Sequence, residues 1–279
     1  MIAVELARQL KRVRTYVSFG IVALIPIILT IADKFGGTPH RGKHAIAMID
    51  LTSHSGLNVP IIGLSVMGIV FVIVAASFAG EAVAGEASWG ALRYLLIRPV
   101  RRGRILAGKL AVVAVLVVVA ILIAVVVSLV AGVIAFGWHP VYVFASNVGN
   151  GIGVLGKPVG AISEVAALAR VALSGAYVIW SLAFVVAFAF MLSTLTDKAF
   201  GAIAGGFGIA VVSQILDAIS QLGSIRYGLP THYMEAWNGL FVQPTQTADM
   251  VRGALLQIPY VLVFGAIAWW WFRRKDITS

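Results

Sequence analysis

Residues 103–110 read Gly-Arg-Ile-Leu-Ala-Gly-Lys-Leu, one letter short of the phosphate-cradling pattern G-x-x-x-x-G-K-[ST]. That loop needs a hydroxyl after its lysine to hold Mg²⁺ and a strand before its first glycine. Leu110 supplies no hydroxyl, and the run leads directly into apolar sequence. The chain is therefore not expected to bind or hydrolyse ATP itself. Gly151-x-Gly153-x-x-Gly156 has the letters of a dinucleotide fingerprint but sits in a polar stretch between apolar runs, with no βαβ unit around it. His40, His44 and His54 share a segment with Asp50. Imidazoles four residues apart on a helix face suit a transition metal, but this segment is rich in Gly and Ser, and exposed polar residues are the expectation. With no cysteine in the chain, disulfides, thiolate metal sites and a cysteine nucleophile are excluded.

An intramembrane hydrolase would need a nucleophile and a base, or metal ligands, inside its apolar spans. The spans contain no Asp or Glu, and all five histidines lie outside them. No catalytic residue and no metal site are assigned.

The elements available to position any chemistry are set by composition. Of 279 residues, 60% are hydrophobic and 11% charged, against about 45–50% and 25% in soluble domains. Mean hydropathy is +0.98. A water-soluble globule, a disordered chain and a coiled coil are excluded. Long unbroken apolar runs, rather than alternating ten-residue segments, point to helices and not to a barrel. The expected fold is an all-α integral membrane protein with six transmembrane helices in a single domain over 1–279. The spans are read at about 16–32, 60–80, 110–136, 171–192, 200–216 and 255–272. Residues 30–33 make a poor cleavage site, so the first span is expected to be retained rather than removed as a signal peptide.

The net charge of +10 reads as a topology signal and not as a nucleic-acid footprint. Placing the N-terminus inside puts fourteen Lys and Arg on the cytoplasmic face and seven outside. Six spans return the C-terminus to the cytoplasm, where Trp269, Trp270 and Trp271 followed by Arg273-Arg274-Lys275 form an aromatic belt and a stop. Before the first span, Ile2, Leu6, Leu10 and Val13 recur at helical spacing, with Glu5, Arg8, Lys11 and Arg12 away from that stripe. Residues 2–14 should form an amphipathic helix in the interface, its basic side toward lipid headgroups.

Three outer segments are long. Residues 33–59 are polar and contain Gly and His. Residues 137–163, rich in Gly and Asn, read as loop-like. Residues 217–254 mix aromatic and polar groups, which suits a partly membrane-dipping structure. Gly201 with Gly205, and Ala204 with Gly208, form small-residue faces expected to pack helices. Ser163-Glu164 suits an N-cap and first turn for the fourth span. Arg170, just beyond, has two readings: snorkelling to the outer interface, which is the expectation, or lining a path.

Residues 81–109 carry the strongest signal. Trp89, Leu92 and Leu96 share a helical face, Glu86 and Arg93 match the helix dipole, and Pro99 ends the helix at Arg98. A short, partly apolar helix between two spans has no spanning role, but fits a groove on a soluble partner. Here the residues resemble a family. Glu86-x-x-x-Gly90-Ala91-Leu92-Arg93, Leu95-Leu96-x-x-Pro99-x-x-Arg102 and Ile105-Leu106-x-Gly108-Lys109 are similar to the loop of type 2 ATP-binding-cassette transporter permeases. That loop typically reads E-x-x-x-G-T-L-R-x-L-L-x-x-P-x-x-R with G-K shortly after; Ala91 departs from the usual Thr. The six spans, the interfacial N-terminal helix, the ending Phe272-Arg273-Arg274-Lys275-Asp276-Ile277 and the last outer loop with Leu229-Pro230-Thr231-His232-Tyr233 and Trp237 extend the resemblance over nearly the whole chain.

The resemblance implies a permease subunit of an ATP-driven exporter in the cell (cytoplasmic/inner) membrane. Its cytoplasmic coupling helix, between the second and third spans, would span 86–96, with Glu86, Trp89, Gly90, Leu92, Arg93 and Leu96 docking on a separate ATPase. ATP and Mg would belong to that ATPase, and the chain itself would hold no cofactor. Two permeases, as a homo- or heterodimer, would join two ATPases, with membrane lipids as the other partner and no nucleic acid. The spans lack buried charge, so an amphipathic or apolar cargo is expected. Phe71, Tyr177, Trp180, Phe184, Phe188, Met191 and Gln214 are the candidates for lining its path. The alternative is a non-transporting anchor or assembly subunit, which keeps the docking helix but needs no path.

Overall fold

A computed structural model describes residues 2–35, 55–88, 102–145 and 158–274. Helix α1 (Ile2–Leu10) precedes α2 (Val13–Phe35). The second apolar stretch forms α3 (Asn58–Val66) and α4 (Gly68–Glu81), followed by the short α5 (Ala84–Ser88). Helix α6 (Arg102–Phe136) leads to strands β1 (Val141–Ala145) and β2 (Pro158–Ile162). Next come α7 (Glu164–Ser181), α8 (Ala183–Leu195) and α9 (Ala199–Ala218). Two 3₁₀ segments, η1 (Ser220–Gly228) and η2 (Ala236–Phe241), and strand β3 (Val242–Gln243) precede α10 (Ala248–Arg274).

The chain is predominantly helical because lipid offers no partner for backbone N–H and C=O groups, and a helix satisfies them internally. Five helices are long and apolar enough to cross a membrane, with α7 and α8 counted as one from Glu164 to Leu195, and the bent α3–α4 pair makes a sixth if counted as one span. The chain is thus a multi-pass membrane protein, and each expected span falls within one of these helices or pairs. Helix α6, with 35 residues, is about 52 Å long at 1.5 Å per residue. It overshoots a core of about 30 Å, which leaves its basic first turns beyond the apolar zone.

Helices α4 and α8 form the buried centre, with Phe71, Phe78 and Phe184 almost wholly enclosed. Helices α2, α9 and α10 turn Ile28, Ile31, Phe200, Ile215, Leu255 and Leu262 outward, as lipid-facing surfaces require. Small residues set the closest approaches. A Cβ on Gly132 of α6 would collide with the Gly56 carbonyl oxygen, and one on Gly206 of α9 would collide with Ala189 of α8. The expected small-residue faces of α9 divide: Gly205 packs on Leu192, whereas Gly201 and Gly208 look into open space.

Three features depart from the sequence reading. The interfacial helix stops at Leu10 rather than running to 14; the chain turns at Lys11-Arg12, and the Thr15 hydroxyl donates to the Gln9 carbonyl across the turn (2.8 Å). The second span is bent by 60° at Met67. Ser65, whose hydroxyl donates back to the Ile61 carbonyl, and Gly68 flank that bend, and both features weaken helix continuity. Residues 137–163 are not wholly loop-like. β1 pairs antiparallel with β2 and parallel with β3, giving the order β2-β1-β3. Residues 146–157, with the Gly151–Gly156 pattern, lie outside the described residues, as do His40, His44, Asp50 and His54.

Side-chain contacts place the elements. α1, α5, the start of α6 and the end of α10 meet at one end of the bundle: Lys109 reaches Glu5, and Arg102 donates to the Arg273 carbonyl (3.1 Å). The sheet, η1 and η2 lie at the other end, where the Gly56 N–H donates to the Gly137 carbonyl (3.0 Å).

Candidate functional site

The junction at the α1 end is built from charges drawn together from distant parts of the chain. Glu86, on α5, is 3% exposed and Lys109, on α6, is 4% exposed. Their side chains meet at 2.7 Å, and Arg8 of α1 also pairs with Glu86. The Lys109 ammonium further donates to the Ala82 carbonyl (3.0 Å) and lies 3.3 Å from Glu5, while Arg8 pairs with Glu5 at 2.6 Å. Beside this group, Glu81 at the end of α4 takes Arg12 at 2.6 Å and also pairs with Arg14. Buried charge is tolerated only when paired in this way. Burial alone would raise the Glu5 carboxyl, but the Lys109 ammonium and the Arg8 guanidinium outweigh it and hold the group below its ordinary value. Arg12 is lowered by burial and by the neighbouring Arg8.

The same segment is tied to α8 through its backbone. The N–H groups of Val83 and Ala84 both donate to the buried Ser193 hydroxyl, at 3.0 and 2.9 Å. Movement at α5 is therefore mechanically connected to α1, α6 and α8. Of the residues expected to couple to an ATPase, Glu86 belongs to this junction; Trp89, Gly90, Leu92, Arg93 and Leu96 lie outside the described residues. Gly103 to Lys109 are helical within α6, and Lys109 is engaged by Glu86, Glu5 and Ala82.

The candidate path residues do not converge on one channel within the chain. Phe71 and Gln214 border a cavity of about 280 Å³ between the α3–α4 bend, the α7–α8 junction, α9 and residues 231–237. Phe184 and Met191 are packed into the core. Tyr177 donates to the Tyr233 carbonyl (2.7 Å). Trp180 is 42% exposed and donates to the Ala254 carbonyl (2.9 Å), and Phe188 stacks edge-on with Phe264 at 5.0 Å.

Residues 228–235 are held between α7, α9 and α10 by such bonds. The Ser213 and Thr231 hydroxyls meet at 2.6 Å, Gln257 donates to the Pro230 carbonyl (3.0 Å), and Tyr260 donates to the Gly228 carbonyl (2.7 Å). Asp217 receives His232 at 2.5 Å and Arg226 at 3.4 Å. Arg170 is half-buried and donates to the Leu240 carbonyl (2.5 Å), which fixes η2 on α7. Ser163 occupies the N-cap position of α7 with extended backbone, but its side chain makes no capping bond.

The partners Glu5, Glu81 and Lys109, and the cavity carboxylates Asp217 and Glu235, were not singled out by sequence reasoning as site residues. The signal available was the survival of acidic residues in a chain with only 11 of them among 279. At a membrane boundary, each such residue calls for a partner.

No curated protein matches the chain. A family model described as "Protein of unknown function (DUF2705)" matches residues 45–278, taking in all the elements from α3 to α10. The chain belongs to that family.

Proposed function

We propose that the chain is the membrane-spanning permease subunit of an ATP-driven exporter of the ATP-binding-cassette type. On this reading the Glu86 end faces the cytoplasm of a cell (inner) membrane, both termini included, and an ATPase subunit docks on the segment that starts at α5. ATP and Mg act on that partner, and a second permease copy or paralogue completes the pair.

The observation that carries the reading is the junction at Glu86. The segment that matches the permease loop motif follows the second span directly, and its described part is joined to α1 and α6 by buried ion pairs and to α8 through Ser193. A push on a helix so connected shifts several spans as a body, the kind of two-state change that differential contacts can bias. The fourteen-to-seven distribution of Lys and Arg supports the orientation.

The test is ATP turnover by the complex purified with the ATPase subunit that this reading requires. Glu86→Ala and Leu92→Asp should each lower permease-dependent turnover by about tenfold or more. A complex whose association and turnover are untouched by both substitutions contradicts the reading and favours an anchor without transport.

A further inference from the structure

The cavity at the α3–α4 bend has a chemistry that the coupling scheme does not use. At about 280 Å³ it falls just below the ~300–1,000 Å³ typical of small-molecule sites, which suits a small organic molecule and not a lipid-linked one. Phe71 and Trp237 supply aromatic wall, and Asp217 and Glu235 supply carboxylates, with no Lys or Arg among the lining residues.

The two carboxylates differ. Asp217 is compensated by His232 and Arg226. Glu235 has no ion-pair or side-chain hydrogen-bond partner among the described residues. It is exposed overall, yet the packing around its carboxyl raises its pKa. The wall also includes the end of a broken helix. Irregular backbone at membrane depth is tolerated where it lines a cavity, and such breaks recur at solute sites. Gly68, the first residue after the break, lines the cavity and has open space where a Cβ would stand. No group of three or more His, Cys, Asp or Glu suited to a metal ion occurs among the described residues.

We propose that this cavity binds a small amphipathic monocation, such as an aryl- or alkylammonium, with Glu235 as its counter-charge and Phe71 and Trp237 against its apolar body. Aromatic faces favour quaternary ammonium groups, and an unpaired carboxylate in a partly desolvated wall selects against anions. As a statement about cargo, the proposal rests on the exporter reading above; as a statement about binding, it is tested without an ATPase.

Isothermal titration of the purified full chain with benzyltrimethylammonium is the test, with benzenesulfonate as the anion of similar size. Saturable binding of the cation but not of the anion is expected. Glu235→Gln should weaken it several-fold, as the loss of one ion pair at a partly solvated carboxylate implies. Gly68→Leu should fill the cavity and abolish binding while leaving the fold intact. Glu164→Gln, away from the cavity lining, should change nothing. Absence of saturable binding, equal binding of the anion, or a Glu235→Gln variant that binds like the parent overturns the proposal. Cation binding without ATPase coupling would instead refute the exporter reading alone, and coupling without cation binding would refute this proposal alone.

Discussion

Glu86 and Lys109 are both nearly solvent-free and stand 2.7 Å apart, so neither can lose the other cheaply. Removing one partner of a buried pair costs about 3–5 kcal/mol, mostly because the remaining charge is stranded. Glu86→Ala should therefore lower unfolding stability in detergent by about that amount, and adding Lys109→Met should recover part of it in a double-mutant cycle; strictly additive losses would contradict the pairing. Glu5 gives a pH test. Its carboxyl is held below its ordinary 4.5, so its ion pairs contribute fully above that pH and are lost as pH falls through the lower folded value. Thermal stability should fall on acidification below about 4.5, and Glu5→Gln should flatten that part of the profile. These partners were hidden in the sequence because Glu5 and Lys109 are 104 positions apart and Arg12 and Glu81 are 69 apart. A single sequence reveals such charges as topology markers, while pairing is a tertiary fact.

Ser193 joins α5 to α8 through two backbone donors. Ser193→Ala leaves both without that acceptor, at a cost of about 1–3 kcal/mol for each donor left unsatisfied. Hydrogen exchange at Val83 and Ala84 should accelerate before the rest of the bundle loosens. Glycines on the helices make a second, paired prediction. Gly132→Val should prevent normal folding, because its Cβ would strike the Gly56 carbonyl, whereas Gly208→Ala faces open space and should be neutral or stabilising by up to about 1 kcal/mol. Equal melting temperatures for the two variants would contradict the packing described. At this scale the spans were legible, since charge-free apolar runs of this length have few other uses. The bend at Met67 was not, because hydropathy is insensitive to direction and Ser65 and Gly68 only permit a kink. The β1–β2 pair was concealed by the Gly- and Asn-rich stretch between its strands.

Across the whole molecule, the helices put the charged junction and the end of α10 together and the small sheet with η1 and η2 at the opposite end. On the proposed reading, lysine and arginine bias would put the junction on the cytosolic side, and the resemblance of the loop motif would give it an ATPase partner. The chain has no cysteine, so one introduced at Ser88, the last residue of α5, reports on both assignments in a single measurement. A membrane-impermeant maleimide should label Ser88→Cys in inside-out vesicles but not in intact cells, and bound ATPase subunit should slow that labelling several-fold. Labelling from outside intact cells, or a rate indifferent to the ATPase, would contradict the account.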